Sequence, residues 1–180
     1  MADSIILFPS KSHIANKAGT VVTFNATNKT LVSSNTGTIG FTDFADGDII
    51  VVTGSTSNNA TFTVTGTPTA TTLTVLETVA TEAEGAAVTV DHQGAYSGKQ
   101  KADGYYGYTD GLHTSAFHLN AYIGTIKMQA SLASIPTKDD WFDVDATSVI
   151  YGSAETSNKG YNYSGNFVWV RAALTGMTAG

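Results

Sequence analysis

The side chains that could carry chemistry are few, and one acidic cluster is the densest group of them. It consists of Asp139, Asp140, Asp143 and Asp145. Closely spaced carboxylates supply the hard oxygen ligands that Ca²⁺ prefers. The cluster lacks the glycine and the closing glutamate of an EF-hand loop, and short acidic runs carry little specificity. We therefore predict a solvated turn before a strand, with no bound metal and these four aspartates as weak candidate ligands.

The other patterns that mark enzymes are missing from the chain. No serine lies in a Gly-x-Ser-x-Gly turn, and no Gly-rich loop ends in Gly-Lys-Ser or Gly-Lys-Thr. His113 and His118 would lie on opposite faces of a strand, which does not favour a shared metal site. The sequence predicts a non-enzymatic protein without a cofactor.

Three tyrosines, Tyr105, Tyr106 and Tyr108, lie in the glycine-rich segment 103–111. Tyrosine offers a large contact area with few rotatable bonds, which makes it common at protein interfaces. The same rings could form a platform for sugars or bases. Of these two interpretations, we predict an interface.

The N-terminal segment presents a second candidate surface. Ile5, Ile6, Leu7 and Phe8 are four consecutive large apolar residues that precede Pro9. A short terminal segment cannot bury four such side chains alone, and exposed apolar groups mark interaction sites. We predict a strand over 4–8 that docks on a partner.

Composition excludes several classes of function. The chain of 180 residues has no cysteine, 13% charged residues and a net charge of −6. An acidic chain does not favour binding to a phosphate backbone, which needs a basic face. No apolar run approaches the ~20 residues that span a bilayer, and the N-terminus lacks the basic and apolar regions of a secretory signal. We expect no nucleic-acid and no membrane partner.

Short Thr/Val/Ile/Phe runs alternate with Gly/Asn/Ser/Asp clusters along the chain, which predicts strands and turns. Residues 48–53 form a nearly continuous apolar run, as in a buried strand, whereas 60–65 alternate apolar and polar side chains. Further strands are predicted at 72–76 and 87–90. Glutamate and alanine in 76–87 favour a helix as the alternative, against which Thr-Val pairs and Gly85 argue.

Residues 93–111 are glycine-rich and lack apolar runs, which indicates a linker or long loop at a domain boundary. Strands are then predicted at 116–121, 123–130, 141–144, 147–151 and 167–174. We predict an all-β protein with a small N-terminal β-barrel or sandwich and a C-terminal jelly-roll-like β-sandwich. The expected divisions are a strand arm (1–40), a small barrel module (41–92), the linker or loop (93–111) and the C-terminal sandwich (112–180).

Two parts of the sequence resemble phage proteins. Phe41–Val64, followed by Thr81–Val90, resembles a small β-barrel module in structural proteins of tailed bacteriophages. The later parts are similar to a β-sandwich domain of virion structural proteins from marine and cyanobacterial phages. They are Asp103–Thr114, Tyr122–Leu132, Asp140–Phe142 and Gly165–Ala172.

The resemblance implies a virion structural protein that is assembled in the host cytoplasm. Its expected role is capsid decoration (a cement protein), with a neck, tail or fibre component as the alternative. The implied partners are major capsid or tail proteins, and a symmetric oligomer such as a trimer is expected. Related sequences usually continue past a Thr-Ala-Gly like Thr178–Gly180 into one more strand, so we expect a chain cut before its last strand or an open sandwich edge.

The residues leave two other classes of function open. A carbohydrate-binding adhesin module would expose Tyr105, Tyr106, Tyr108 and Trp141 as stacking surfaces. A depolymerase would need carboxylates that converge in a cleft near the acidic cluster.

Overall fold

The computed structural model describes residues 5–8, 10–109 and 111–180, and these residues form an all-β protein, as predicted. The strands are β1 (Lys17–Gly19), β2 (Val22–Asn25), β3 (Thr30–Ser33), β4 (Asp48–Thr53), β5 (Ala60–Thr63), β6 (Thr72–Thr74), β7 (Val88–Tyr96), β8 (Gln100–Lys101), β9 (Leu112–Ser131), β10 (Phe142–Asp143), β11 (Val149–Ser164) and β12 (Trp169–Ala179). One helical turn, α1 (Asp103–Tyr106), follows β8, and a 3-10 turn covers Lys138–Asp140. None of the helical segments in the described ranges has the length and apolar character needed to cross a membrane.

The chain divides into two compact units. The N-terminal unit is His13–Ala95, and the C-terminal unit combines Tyr96–Gly180 with the first twelve residues, of which 5–8 and 10–12 are described. Residues 13–40, which are most of the predicted arm (1–40), therefore belong to the same compact unit as the predicted barrel module (41–92).

Two antiparallel sheets build the N-terminal unit, with the orders β1-β7-β4-β5 and β2-β3-β6. Their inward side chains form one apolar core. Its fully buried members include Phe24, Leu31, Phe41, Ile50, Val52, Leu73 and Val90. The predicted strands at 48–53, 60–65, 72–76 and 87–90 all overlap observed strands. The apolar residues of the last three recur at every second position, as one sheet face requires, whereas 48–53 is a nearly continuous apolar run.

The segment 76–87 contains no helix. Glu82 instead pairs with β2 through two backbone hydrogen bonds to Phe24, of 2.9 and 3.1 Å. The pairing shows that a partner strand outweighed the modest helix propensity of glutamate and alanine.

A buried histidine and a buried aspartate lie side by side in the N-terminal unit. His92 Nδ1 accepts a hydrogen bond of 3.1 Å from the Ile14 N–H, which places the proton of the neutral ring on Nε2. That Nε2 lies 3.7 Å from Oδ1 of Asp48, while Oδ2 of Asp48 accepts a hydrogen bond from the Ala45 N–H. The pair joins the first residues of the unit to β4 and β7.

In the C-terminal unit, β9 is the central strand. It pairs with β12 through Ile123–Ser131, and with β11 and then β10 along its opposite edge. The sequence predicted two separate strands at 116–121 and 123–130. They form one continuous strand, β9. The register of its pairing with β11 shifts where the two predicted strands meet, and Ala121 and Gly124 there have positive φ (51° and 149°), as in a β-bulge.

The hairpin β9–β11 is much longer than predicted. Residues 157–164 of β11 pair without interruption with residues 112–119 of β9. The sequence predicts no strand at 152–164, since this polar segment lacks the apolar alternation that marks a strand.

The predicted strand at 4–8 is wrong for residues 5–8, which form no strand and bend at Leu7. Ser4 lies outside the described residues. Leu7 and Phe8 nevertheless pack against the core of the C-terminal unit, next to Phe117 on β9. Side-chain contacts, rather than the backbone hydrogen bonds of a sheet, hold residues 5–8 in place. We call these four residues the arm from here on.

Candidate functional site

The three predicted tyrosines lie together on the surface of the C-terminal unit, and Trp169 joins them. We call these four residues the aromatic platform. The rings of Tyr105 and Trp169 meet edge to face with centroids 5.1 Å apart, and Tyr105 meets Tyr106 in the same way at 5.2 Å. Tyr106 and Tyr108 are stacked at 6.0 Å. Contacts between neighbouring rings therefore connect all four side chains.

Local backbone structure positions the platform. The turn α1 ends at Gly107, whose φ of 75° suits glycine, and the N–H of Tyr108 donates to the carbonyl of Asp103. Gly104 lies so close to the chain before β12 that a Cβ there would lie 2.7 Å from the carbonyl oxygen of Phe167. The Gly104 N–H donates to that same oxygen at 2.8 Å. Glycine at this position allows the turn to dock on the neighbouring segment.

Strand pairing brings Trp169 to the tyrosines. Lys101 in β8 lies opposite Trp169 in β12, and the Ala102 N–H donates to the carbonyl of Val168 at 3.0 Å. The tyrosines follow directly in α1. The sequence alone does not place Trp169 at this site, because only the pairing of β8 with β12 brings it beside the tyrosines of segment 103–111.

Two lysines accompany the rings. Lys99 Nζ lies 4.6 Å from the ring centroid of Trp169, and Lys101 Nζ lies 4.2 Å from that of Tyr105. Such contacts between an ammonium group and a ring face are attractive. A hydrogen bond with Tyr105 raises the pKa of Lys101 above its ordinary value, so this side chain is cationic at neutral pH. No carboxylate of a described residue lies within 4.0 Å of either ammonium nitrogen.

The platform is open to solvent. Tyr106 is 57% exposed and Tyr108 is 61% exposed, while Trp169 is half-buried. Connected groups of exposed aromatic side chains are typical of binding surfaces. The prediction that the three tyrosines pack at an interface stays a prediction, since an open platform suits a subunit or a ligand equally.

The arm is the second candidate surface, and its four residues divide into two pairs. Leu7 and Phe8 are half-buried against the core, whereas Ile5 is 53% exposed and Ile6 is 76% exposed. Between the arm and the facing part of β9 lies an open groove of about 830 Å³, lined also by Tyr122, Ile126 and Leu174. The arm is thus anchored at one end and presents two apolar side chains at the other.

The acidic candidates do not share one site. Asp140 accepts hydrogen bonds from the Thr137 N–H and hydroxyl, which lower its pKa. Asp143 binds Lys127 at 2.7 Å, and Asp139 pairs with Lys138 at 2.8 Å. Among the described residues, no group of three histidine, aspartate or glutamate side chains is arranged to hold a metal ion.

Trp141, the fourth residue of the adhesin hypothesis, packs on Arg171 rather than on the tyrosines. The guanidinium carbon of Arg171 lies 4.2 Å from the Trp141 ring and 4.0 Å from the Tyr96 ring, and Nε donates to Gln129 at 2.8 Å. Burial lowers the pKa of Arg171 to about 10, at which it remains charged at neutral pH. Trp141 therefore supports the sheet rather than the aromatic platform.

Comparisons of the chain with models of protein families, with curated proteins and with solved structures gave no match.

Proposed function

We propose that this chain is a non-enzymatic structural protein of a tailed-phage virion, which decorates the capsid by docking on its repeating lattice of major capsid proteins. The observation that carries the proposal is the division of the arm. Leu7 and Phe8 anchor it, while Ile5 and Ile6 remain exposed. Two apolar side chains held out from a folded unit are suited to burial against a neighbouring subunit.

A lattice favours this kind of contact. Each arm offers a small apolar area, and many small contacts repeated on one particle gain avidity without any single strong contact. We propose that the chain acts as a symmetric oligomer, a trimer, on such a lattice. A neck, tail or fibre component of the virion would use the same docking segment.

Two further observations support a structural role over a depolymerase. Thr137 engages the Asp140 carboxylate, and Lys127 and Gln129 engage that of Asp143. Partners within the chain thus engage both carboxylates, which favours a structural role for them over cleavage of a glycosidic bond.

The position in the virion can be tested by immunogold electron microscopy on particles from a phage that encodes the chain. We expect dense labelling of heads by antibody raised to the chain. Labelling confined to tails would replace decoration with the tail component, and unlabelled particles would contradict a virion role.

The docking segment can be tested with capsids that lack the chain. The double variant Ile5→Ser/Ile6→Ser should bind them at least about tenfold more weakly than the unmodified protein, since it removes the exposed apolar pair. The matched control is Ile150→Ser, because Ile150 is 77% exposed and Ile6 is 76% exposed. Equal binding by the arm variant and the control would overturn the assignment of the arm.

A further inference from the structure

We propose that the aromatic platform and its two lysines form a binding site for an acidic polysaccharide. The proposal goes beyond lattice docking, since it assigns a ligand to a surface that the arm does not need. It rests on three features of the described residues, namely the open ring faces, the two ammonium groups and the small size of the surface.

The ring faces provide the first feature. Tyr106 and Tyr108 are the most exposed aromatic rings of the platform, and an angle of 29° between their planes makes them nearly parallel. The face of an aromatic ring carries negative partial charge, which attracts the C–H groups on the face of a sugar ring. The rings are stacked on each other, so we expect sugar rings to contact the exposed surface that this stacking leaves free.

The lysines provide the second feature, and they select the charge of the ligand. Lys101 Nζ lies 4.2 Å from the centroid of Tyr105 and 6.0 Å from that of Tyr106. Lys99 lies over Trp169 at the other end of the platform. The carboxylate of Asp103 lies more than 4.0 Å from both ammonium nitrogens, and its Oδ2 lies 4.0 Å from His113 Nε2. A ligand with carboxylate or sulfate groups along its length would complement this local positive charge in a chain of net charge −6.

The size of the surface provides the third feature. A protein–protein interface involves roughly 20–30 residues on each side and would have to extend well beyond the four rings and two lysines of the platform. A few sugar units can cover such a surface fully. Single-stranded nucleic acid also stacks on aromatic rings, but it needs a row of cationic groups that follows its phosphate backbone, and the two lysines of the platform, each over a ring, are too few to supply one.

The test uses the full chain and two ligands with the same sugar backbone, a hexamer of galacturonic acid and its methyl ester, in which methyl groups replace the negative charges. Isothermal titration calorimetry should show binding of the acid at low salt. We expect the ester to bind at least about tenfold more weakly, and added salt to weaken binding of the acid, because screening reduces attraction between exposed charges.

Variants separate the two contributions. Tyr106→Ala and Tyr108→Ala should each weaken binding of both ligands about tenfold, whereas Lys101→Gln should weaken binding of the acid alone. Ile150→Ala is the matched control for loss of an exposed apolar side chain, and circular dichroism checks that each variant folds. Unchanged binding by Tyr106→Ala would place any bound sugar elsewhere.

Three other outcomes would also overturn the proposal. Equal affinity for acid and ester would remove the role of the lysines. Tighter binding of a single-stranded oligonucleotide than of the acid would assign the platform to nucleic acid. Self-association that depends on Tyr106 and Tyr108, without binding of either hexamer, would make the platform an interface between copies of the chain.

Discussion

The carboxylate of Glu82 accepts a hydrogen bond of 2.6 Å from the hydroxyl of Ser55. The backbone N–H groups of Thr56 and Ser57 and the side-chain amide of Asn58 donate to the same carboxylate. Because the Glu82 backbone pairs with Phe24, this one residue connects the loop after β4 to the strand β2. The Glu82 carboxylate therefore organises the polar loop after β4 in the N-terminal unit.

Replacement of Glu82 by glutamine should destabilise the N-terminal unit by about 1–2 kcal/mol at pH 7, since hydrogen bonds to a charged acceptor are stronger than those to a neutral one. The measurement is urea unfolding. Glu84→Gln is the control, because Glu84 accepts a hydrogen bond from the Ser34 hydroxyl. Equal stability of the two variants would contradict the organising role of Glu82.

The same carboxylate predicts a pH dependence. The hydrogen bond from Ser55, followed by that from the Thr56 N–H, lowers the pKa of Glu82 from 4.5 to about 2. A carboxylate with a lower pKa in the folded state stabilises fully above its unfolded pKa, and this contribution is lost as the pH falls through the folded pKa. The difference in unfolding free energy between the unmodified chain and Glu82→Gln should therefore persist at pH 6 and shrink between pH 4.5 and pH 2. A constant difference over this range would count against the assignment.

Gly104→Ala should disturb the aromatic platform. The added Cβ would lie 2.7 Å from the carbonyl oxygen of Phe167 and 2.8 Å from that of Asn166, so the turn must move. We expect a loss of about 1–3 kcal/mol in unfolding free energy, as for other overpacked sites, and a changed fluorescence spectrum from Trp169 beside Tyr105. Gly98→Ala is the control, since a Cβ there meets nothing within 4 Å. An unchanged spectrum in Gly104→Ala would show that the turn does not position the platform.

Arg171→Lys should not preserve stability, although it keeps the charge. The planar guanidinium lies between the rings of Tyr96 and Trp141 and donates to Gln129, which a compact ammonium group cannot reproduce. We expect a loss of about 1–2 kcal/mol by urea unfolding. The more exposed Lys159, which pairs with Glu155 at 3.0 Å, provides the control Lys159→Gln with a loss below about 1 kcal/mol. Similar losses in both variants would contradict the importance of planar stacking.

Phe8→Ala should destabilise the C-terminal unit, because Phe8 packs against both of its apolar clusters. The expected loss is about 1–2 kcal/mol, less than for a fully buried phenylalanine, since the side chain is only half-buried. Ile6→Ala should leave stability unchanged, because Ile6 is mostly exposed. Thermal unfolding of the two variants measures the difference, and equal melting temperatures would show that the arm is not anchored.

Local sequence determined the all-β class and most strands of the N-terminal unit. In β5 the alternation matches burial of Phe62 on one face, and in β4 the nearly continuous apolar run matches burial on both faces. The same logic failed for residues 152–164 of β11. Pairing with β9 holds this polar segment as a strand, and pairing is a property of two segments rather than one.

The candidate site shows the same division. The sequence indicated Tyr105, Tyr106 and Tyr108 as a possible surface, and all three side chains are exposed. Only the tertiary structure added Trp169, through its pairing with Lys101, and separated Trp141 by stacking it on Arg171. Composition and spacing thus determine which side chains are available, whereas strand pairing over long sequence distances decides which of them meet, because residues far apart in the chain share no local pattern.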